Sequence, residues 1–184
     1  MHFQIIGHSF ASRLQSYLSR VVGTTDPLRD HRIAFTAIPG SHVAGHRAAK
    51  LRQSLSHDCL GHPDVVYLTL ETNDIASHPT TARVVAHTIL SLASMLHHGL
   101  GVRLVIVEQV LARRVLGSPE VTKALNDELE RLAASGEYVY VKFWRHKAGL
   151  QDNMHRYLCR DGTHLNAHGM RKYWRSVRGA LLLQ

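Results

Sequence analysis

A chain of 184 residues with 45% hydrophobic and 20% charged residues has the make-up of a soluble globular protein, and residues 1–184 read as a single domain able to bury a core without disulfides or metal. The 22 Lys+Arg against 14 Asp+Glu give a formal net charge of +8, with 15 histidines that add more below neutrality; this favours polyanions but defines no site. No apolar run is long enough to span a bilayer, no signal-peptide pattern opens the chain, and Cys59 and Cys159 are isolated thiols without metal-type spacing, so an intracellular, cytoplasmic protein is expected.

His2 to Gly7 reads as a short buried strand, and Ser9 to Val22 as an amphipathic helix with Phe10, Leu14, Leu18 and Val21 on one face, ended by Gly23. Two readings of Ser9 stand at this joint: a helix N-cap, for which serine is well suited, or a nucleophile at the end of a strand. Asp26-Pro27 marks a turn. Arg32 to Ile38 is β-rich and closes on the loop Pro39-Gly40-Ser41, and Val43 to Leu60 reads as a weak helix with long loops.

Val65 to Leu70 is the clearest strand, apolar enough for mid-sheet, and it runs into Glu71-Thr72-Asn73-Asp74. A helix follows from Thr80 to His98, with Val84, Val85, Ile89, Leu92 and Leu96 on one face and Gly99 as its stop. Val102 to Val107 is expected to be the fourth strand, Pro119 to Ser135 a helix on Val121, Leu125, Leu129 and Leu132, and Tyr138 to Val141 a short fifth strand. Phe143 to Arg160 reads as irregular. Asn166 then caps a last helix through Leu183 that buries Met170, Trp174, Val177 and Leu181. Alternating strands and helices imply a three-layer α/β/α sandwich around a parallel sheet.

In such a sheet Ser9, Gly40 and Asn73 fall at C-terminal strand ends on one edge, where Asp161 and His164 can join them. Acyl transfer needs a nucleophile, a general base, a group that orients the base, and donors for an oxyanion. This set supplies each: Ser9 to attack, His164 to take its proton and Asp161 to hold the imidazole. The N–H groups of Ser9 and Gly40 and the amide of Asn73 are the candidate oxyanion donors. The separate readings of Asn73 as a cap and of Gly40 as a backbone hinge stay open at this point.

Gly7-His8-Ser9-Phe10, Gly40, Glu71-Thr72-Asn73-Asp74 and Asp161-Gly162-Thr163-His164 resemble, in order, the four blocks of the SGNH (GDSL-type) hydrolases. The resemblance implies a five-stranded, flavodoxin-like sheet and an esterase or deacetylase that cleaves small acyl esters, acetyl or short-chain, through an acyl-serine intermediate without metal or cofactor. It assigns Ser9, Asp161 and His164 as catalytic, and Ser9, Gly40 and Asn73 as the oxyanion hole. Phe143-Trp144, Asp161 to Asn166 and Gly169 to Tyr173 further resemble SGNH-type domains carried in retroelement open reading frames, and the start at Met1 suits a domain cut from a longer protein.

Two positions depart from the family blocks: His8 replaces an Asp and Glu71 replaces a Gly. An unpaired carboxylate beside an oxyanion opposes catalysis, so His8 and Glu71 are candidate modulators, expected to pair across neighbouring strand ends. The alternative function is a catalytically weak or inactive domain serving as a nucleic-acid-binding or assembly module of a retroelement protein. Arg171, Arg175 and Arg178 share one face of the last helix, a basic surface that suits solvent or nucleic-acid phosphates. A metal site built on Asp161, His164 and either His155 or His168 is disfavoured, and oligomeric state and substrate identity leave no mark on the sequence.

Overall fold

The computed structural model describes residues 1–21, 28–38, 40, 42–43, 49–55, 60–70, 79–113, 119–147 and 149–184. Five strands, β1 (His2–Gly7), β2 (Arg32–Ala37), β3 (Val65–Thr69), β4 (Leu104–Glu108) and β5 (Val141–Trp144), form one all-parallel sheet in the order β2-β1-β3-β4-β5. The helices are α1 (Ser9–Val21), α2 (Ala49–Gln53), α3 (Pro79–Ser94), α4 (Pro119–Ala133), α5 (Met154–Tyr157) and α6 (Ala167–Leu182).

Strand side chains alternate between two cores, as a pleated sheet buried on both faces requires. Phe3, Ile5, Val65, Tyr67 and Ile106 pack with Phe10 and Leu14 of α1 and with Met170, Tyr173, Trp174 and Val177 of α6. Ile6, Val66, Leu68, Val105 and Val107 pack with Val85 and Ile89 of α3, with Leu125 and Leu129 of α4, and with Leu51. Full burial of an aliphatic side chain of this kind stabilises by about 1.5–3 kcal/mol. The expected three-layer sandwich with a flavodoxin-like sheet is the observed architecture.

The chain leaves β1 toward β2 on one side and later builds β3, β4 and β5 on the other. Strand order therefore reverses between β1 and β3, where connections from the two strand ends diverge and leave a crevice at the C-terminal edge. Ser9 follows the end of β1 at this point.

Several elements differ from the sequence expectation. The fourth strand runs Leu104–Glu108 because Val102 donates its N–H to Leu96 O (3.1 Å), closing the end of the preceding helix. That helix widens in its last turn into a π-helical segment, Met95–Gly99. The fifth strand lies at Val141–Trp144, three residues later than expected. Gly136 (φ +81°) opens a turn through residue 140, Val139 is 84% exposed, and pairing with β4 begins only at Val141. Phe143 and Trp144 are therefore strand residues, and Met154–Tyr157 adds a helical turn within the segment expected to be irregular. Val21 and Val84, placed on buried faces by periodicity, are 57% and 60% exposed. Val22, Gly23 and Cys59 lie outside the described residues.

Candidate active site

Gly7 ends β1 opposite Thr69 of β3. A Cβ on Gly7 would overlap the carbonyl oxygen and methyl group of Thr69, so glycine is what lets the two strand ends close to each other here. His8, the next residue, is fully buried, and its carbonyl accepts the Ser12 N–H (3.2 Å), so α1 is launched directly from the strand end. That geometry leaves Ser9 in the first position of α1, half-buried, with the positive end of the helix behind it.

The partners of Ser9 arrive from the other end of the sequence on a tight reverse turn. Leu158 bridges Leu165 in antiparallel fashion, Cys159 N–H donates to His164 O (2.6 Å), and Gly162 takes φ +66°, a left-handed conformation that favours glycine. Asn166 locks the base of this turn. Its N–H donates to Tyr157 O (2.7 Å), its side-chain amide donates to Arg156 O (2.9 Å), and its Oδ1 caps α6 by accepting the Gly169 N–H (2.9 Å).

Within the turn, Asp161 Oδ1 accepts the N–H groups of Thr163 and His164 (both 2.9 Å), and Oδ2 lies 2.8 Å from His164 Nδ1. The His164 backbone N–H, then its ring, then the Thr163 N–H hold the Asp161 carboxyl well below the usual carboxylate range. An ionised carboxylate only accepts hydrogen bonds, so Nδ1 is the protonated ring nitrogen. In the neutral imidazole Nε2 is then the acceptor, and it lies 3.2 Å from Ser9 Oγ. Ser9, His164 and Asp161 thus form one continuous relay, spanning 155 positions of sequence between its first two members.

Gly40 lies in the loop leaving β2 at the same sheet edge, its φ of +73° lying in the left-handed region. The Ile38 N–H donates to Gly7 O (2.8 Å), carrying the β1–β2 pairing one residue past β2 and tying that loop to the strand end before Ser9. The expected oxyanion donor Asn73 and the expected modulator Glu71 fall outside the described residues, as does the pairing of Glu71 with His8. β1 and β3 are neighbours, as that pairing requires. Among the described residues, no group of three or more His, Cys, Asp or Glu is placed to hold a metal ion.

One polar cluster escaped the sequence reading. Glu108, at the end of β4, is buried and accepts hydroxyl hydrogen bonds from Tyr67 (2.8 Å) and Tyr173 (2.9 Å), with His146 Nε2 at 3.3 Å. Burial, with the Glu108 carboxylate beside it, pushes the Tyr67 hydroxyl well above its ordinary value. Tyr173 also reaches Thr69 Oγ1 (3.0 Å) and packs its ring 5.6 Å from that of Phe10. From the helix that follows His164 it therefore touches both the helix of Ser9 and the strand end beside Gly7. The one visible signal was a glutamate and a glutamine directly after an apolar run.

The family profile described as GDSL-like lipase/acylhydrolase matches residues 6–172. No curated protein matches the chain. Among solved structures, the lipase/acylhydrolase from Enterococcus faecalis superposes with a TM-score of 0.64 at 16% identity, covering 98% of this chain and 97% of that one. An acetylxylan esterase from Geobacillus stearothermophilus gives a TM-score of 0.63 at 14% identity, over 96% and 91%. An acetyl esterase mutant with an acetate ion gives 0.70 at 14% identity, over 100% and 97%. At these identities the structures share the fold.

Proposed function

The chain belongs to the GDSL-like lipase/acylhydrolase family and is an ester-hydrolysing enzyme, and from that premise we propose that it cleaves small acyl esters, acetyl or short-chain, through an acyl-serine intermediate. The observation that carries this reading is the relay from Asp161 through His164 (2.8 Å) to Ser9 Oγ (3.2 Å). His164 Nε2 takes the hydroxyl proton as Ser9 Oγ attacks the ester carbonyl carbon, and Asp161 stabilises the imidazolium that forms. Collapse of the tetrahedral adduct breaks the bond to the alcohol oxygen, which leaves with the proton held by His164. Water then attacks the acyl-serine by the same proton route, releasing the carboxylic acid and restoring Ser9.

The N–H groups of Ser9 and Gly40 and the Asn73 amide are assigned to the oxyanion, each such donor lowering the barrier by about 3 kcal/mol. His8 and Glu71 tune this site through their charge balance. The acetyl esterase and the acetylxylan esterase among the structural neighbours agree with a short acyl group. Hydrolysis of a short-chain nitrophenyl ester, compared between wild type and Ser9→Ala, tests the reading: activity is expected only in the wild type, and equal rates overturn it.

A further inference from the structure

The face of α1 that begins with Ser9 continues as Arg13, then Ser16 and Tyr17, then Arg20, at the spacing that stacks side chains one helical turn apart. These residues line one wall of an open groove. The other wall comes from the segment directly after His164: Leu165, Asn166, and Met170 and Arg171 of α6. The groove thus opens one helical turn beyond Ser9 on one wall and one residue beyond His164 on the other, and runs between α1 and α6, which lie side by side.

Its electrostatics are one-sided. Neither α1 nor α6 contains an acidic residue. Arg13, Arg20 and Arg171 are all exposed, and among the described residues none of the three forms an ion pair with a carboxylate. The acidic group nearest to Arg171 in sequence, Asp161, is committed to His164. Buried Leu165 and Met170 supply an apolar floor. An apolar trough with guanidinium groups on both walls fits an anionic group on an organic stem, and planar guanidinium forks match phosphate in two-point contacts.

We propose that this groove receives the alcohol part of the substrate, and that this alcohol carries a phosphate group. The inference rests on the hydrolase reading of Ser9 and adds the substrate class. Geometry ranks the three arginines. At 1.5 Å rise per residue, Arg13 stands about 6 Å along the helix from Ser9 and Arg20 about 16 Å. A phosphate a few bonds from the scissile ester meets Arg13, with Arg171 across the groove, whereas Arg20 serves only longer substrates.

The test compares acetylglycerol with acetylglycerol phosphate as a matched pair, at low and high salt. The expected result is a kcat/KM at least about tenfold higher for the phosphorylated ester, fading as salt screens the contact. Arg13→Ala and Arg171→Ala remove most of that preference and Arg20→Ala removes little, each variant's preference being its rate on the phosphorylated ester divided by its own rate on the neutral one, with circular dichroism reporting correct folding. A long-chain acylglycerol phosphate in neutral micelles separates a lipid source of the phosphate from a soluble one; arginine-dependent turnover of either supports the groove's role. Equal rates on the matched pair, or a preference that survives Arg13→Ala/Arg171→Ala, overturn the inference while leaving the hydrolase reading intact. Binding of a single-stranded oligonucleotide without any ester preference overturns it in favour of a nucleic-acid surface. Failure to hydrolyse either ester strikes instead at the reading on which it rests.

Discussion

Asp161 is the residue whose electrostatics bear most directly on the proposed chemistry. Its carboxyl is held below the usual range by two backbone N–H groups and the His164 ring. It therefore stays ionised wherever the enzyme is assayed. Asp161→Asn is expected to cut kcat by about 10³–10⁴-fold at neutral pH, because an amide no longer enforces the Nδ1–H tautomer. Stability carries a separate signature. A carboxyl depressed in the folded state contributes stability above its unfolded value of about 3.9 and loses it as pH falls toward the folded value. The gap in Tm between wild type and Asp161→Asn is thus full near neutrality and narrows below about pH 4; a gap that widens in acid contradicts this account.

At the scale of elements, the turn that carries Asp161 and His164 is held by Asn166, which both caps α6 and ties the turn to Tyr157 and Arg156. Asn166→Ala is expected to cost about 1 kcal/mol, read as a Tm lowered by roughly 2–4 °C, together with a fall in kcat as His164 loses its fixed position. An unchanged Tm speaks against the cap. Tyr173→Phe removes a hydroxyl from buried Glu108 and from Thr69, and is expected to destabilise by about 1–3 kcal/mol in a denaturant titration. The cap was legible because Asn166 directly precedes a strongly periodic helix. The Glu108 cluster was not, because its members come from β3, β4 and α6 and the segment after β5, and meet only through tertiary packing. β5 was misplaced for a local reason: Tyr138 to Val141 alternates like a strand, but the turn at Gly136 consumes those residues before pairing begins.

At the scale of the whole molecule, β1 through α6 build a single sheet with one helical layer on each face, so the chain is expected to unfold as one unit. Trp144 in β5 and Trp174 in α6 are both buried in the same layer. Tryptophan fluorescence and far-UV circular dichroism should therefore report coincident urea transitions, whereas separated midpoints indicate two units. The parallel, three-layer architecture was legible in the alternating elements, whereas the strand order was implied by the resemblance of the four blocks to the SGNH hydrolases. The convergence of Ser9 with Asp161 and His164 followed from the same topology, with residues at opposite ends of the chain brought to the edge where β1 and β3 part. What the pattern of residues left unreadable was the groove, since its charge depends on two helices lying side by side. The central claim, a serine activated at that edge, is tested most directly by labelling with a fluorophosphonate probe. The account predicts one covalent adduct, on Ser9, absent from Ser9→Ala and strongly slowed in His164→Ala. A wild-type protein that resists the probe, or a Ser9→Ala variant labelled as readily as wild type, contradicts it.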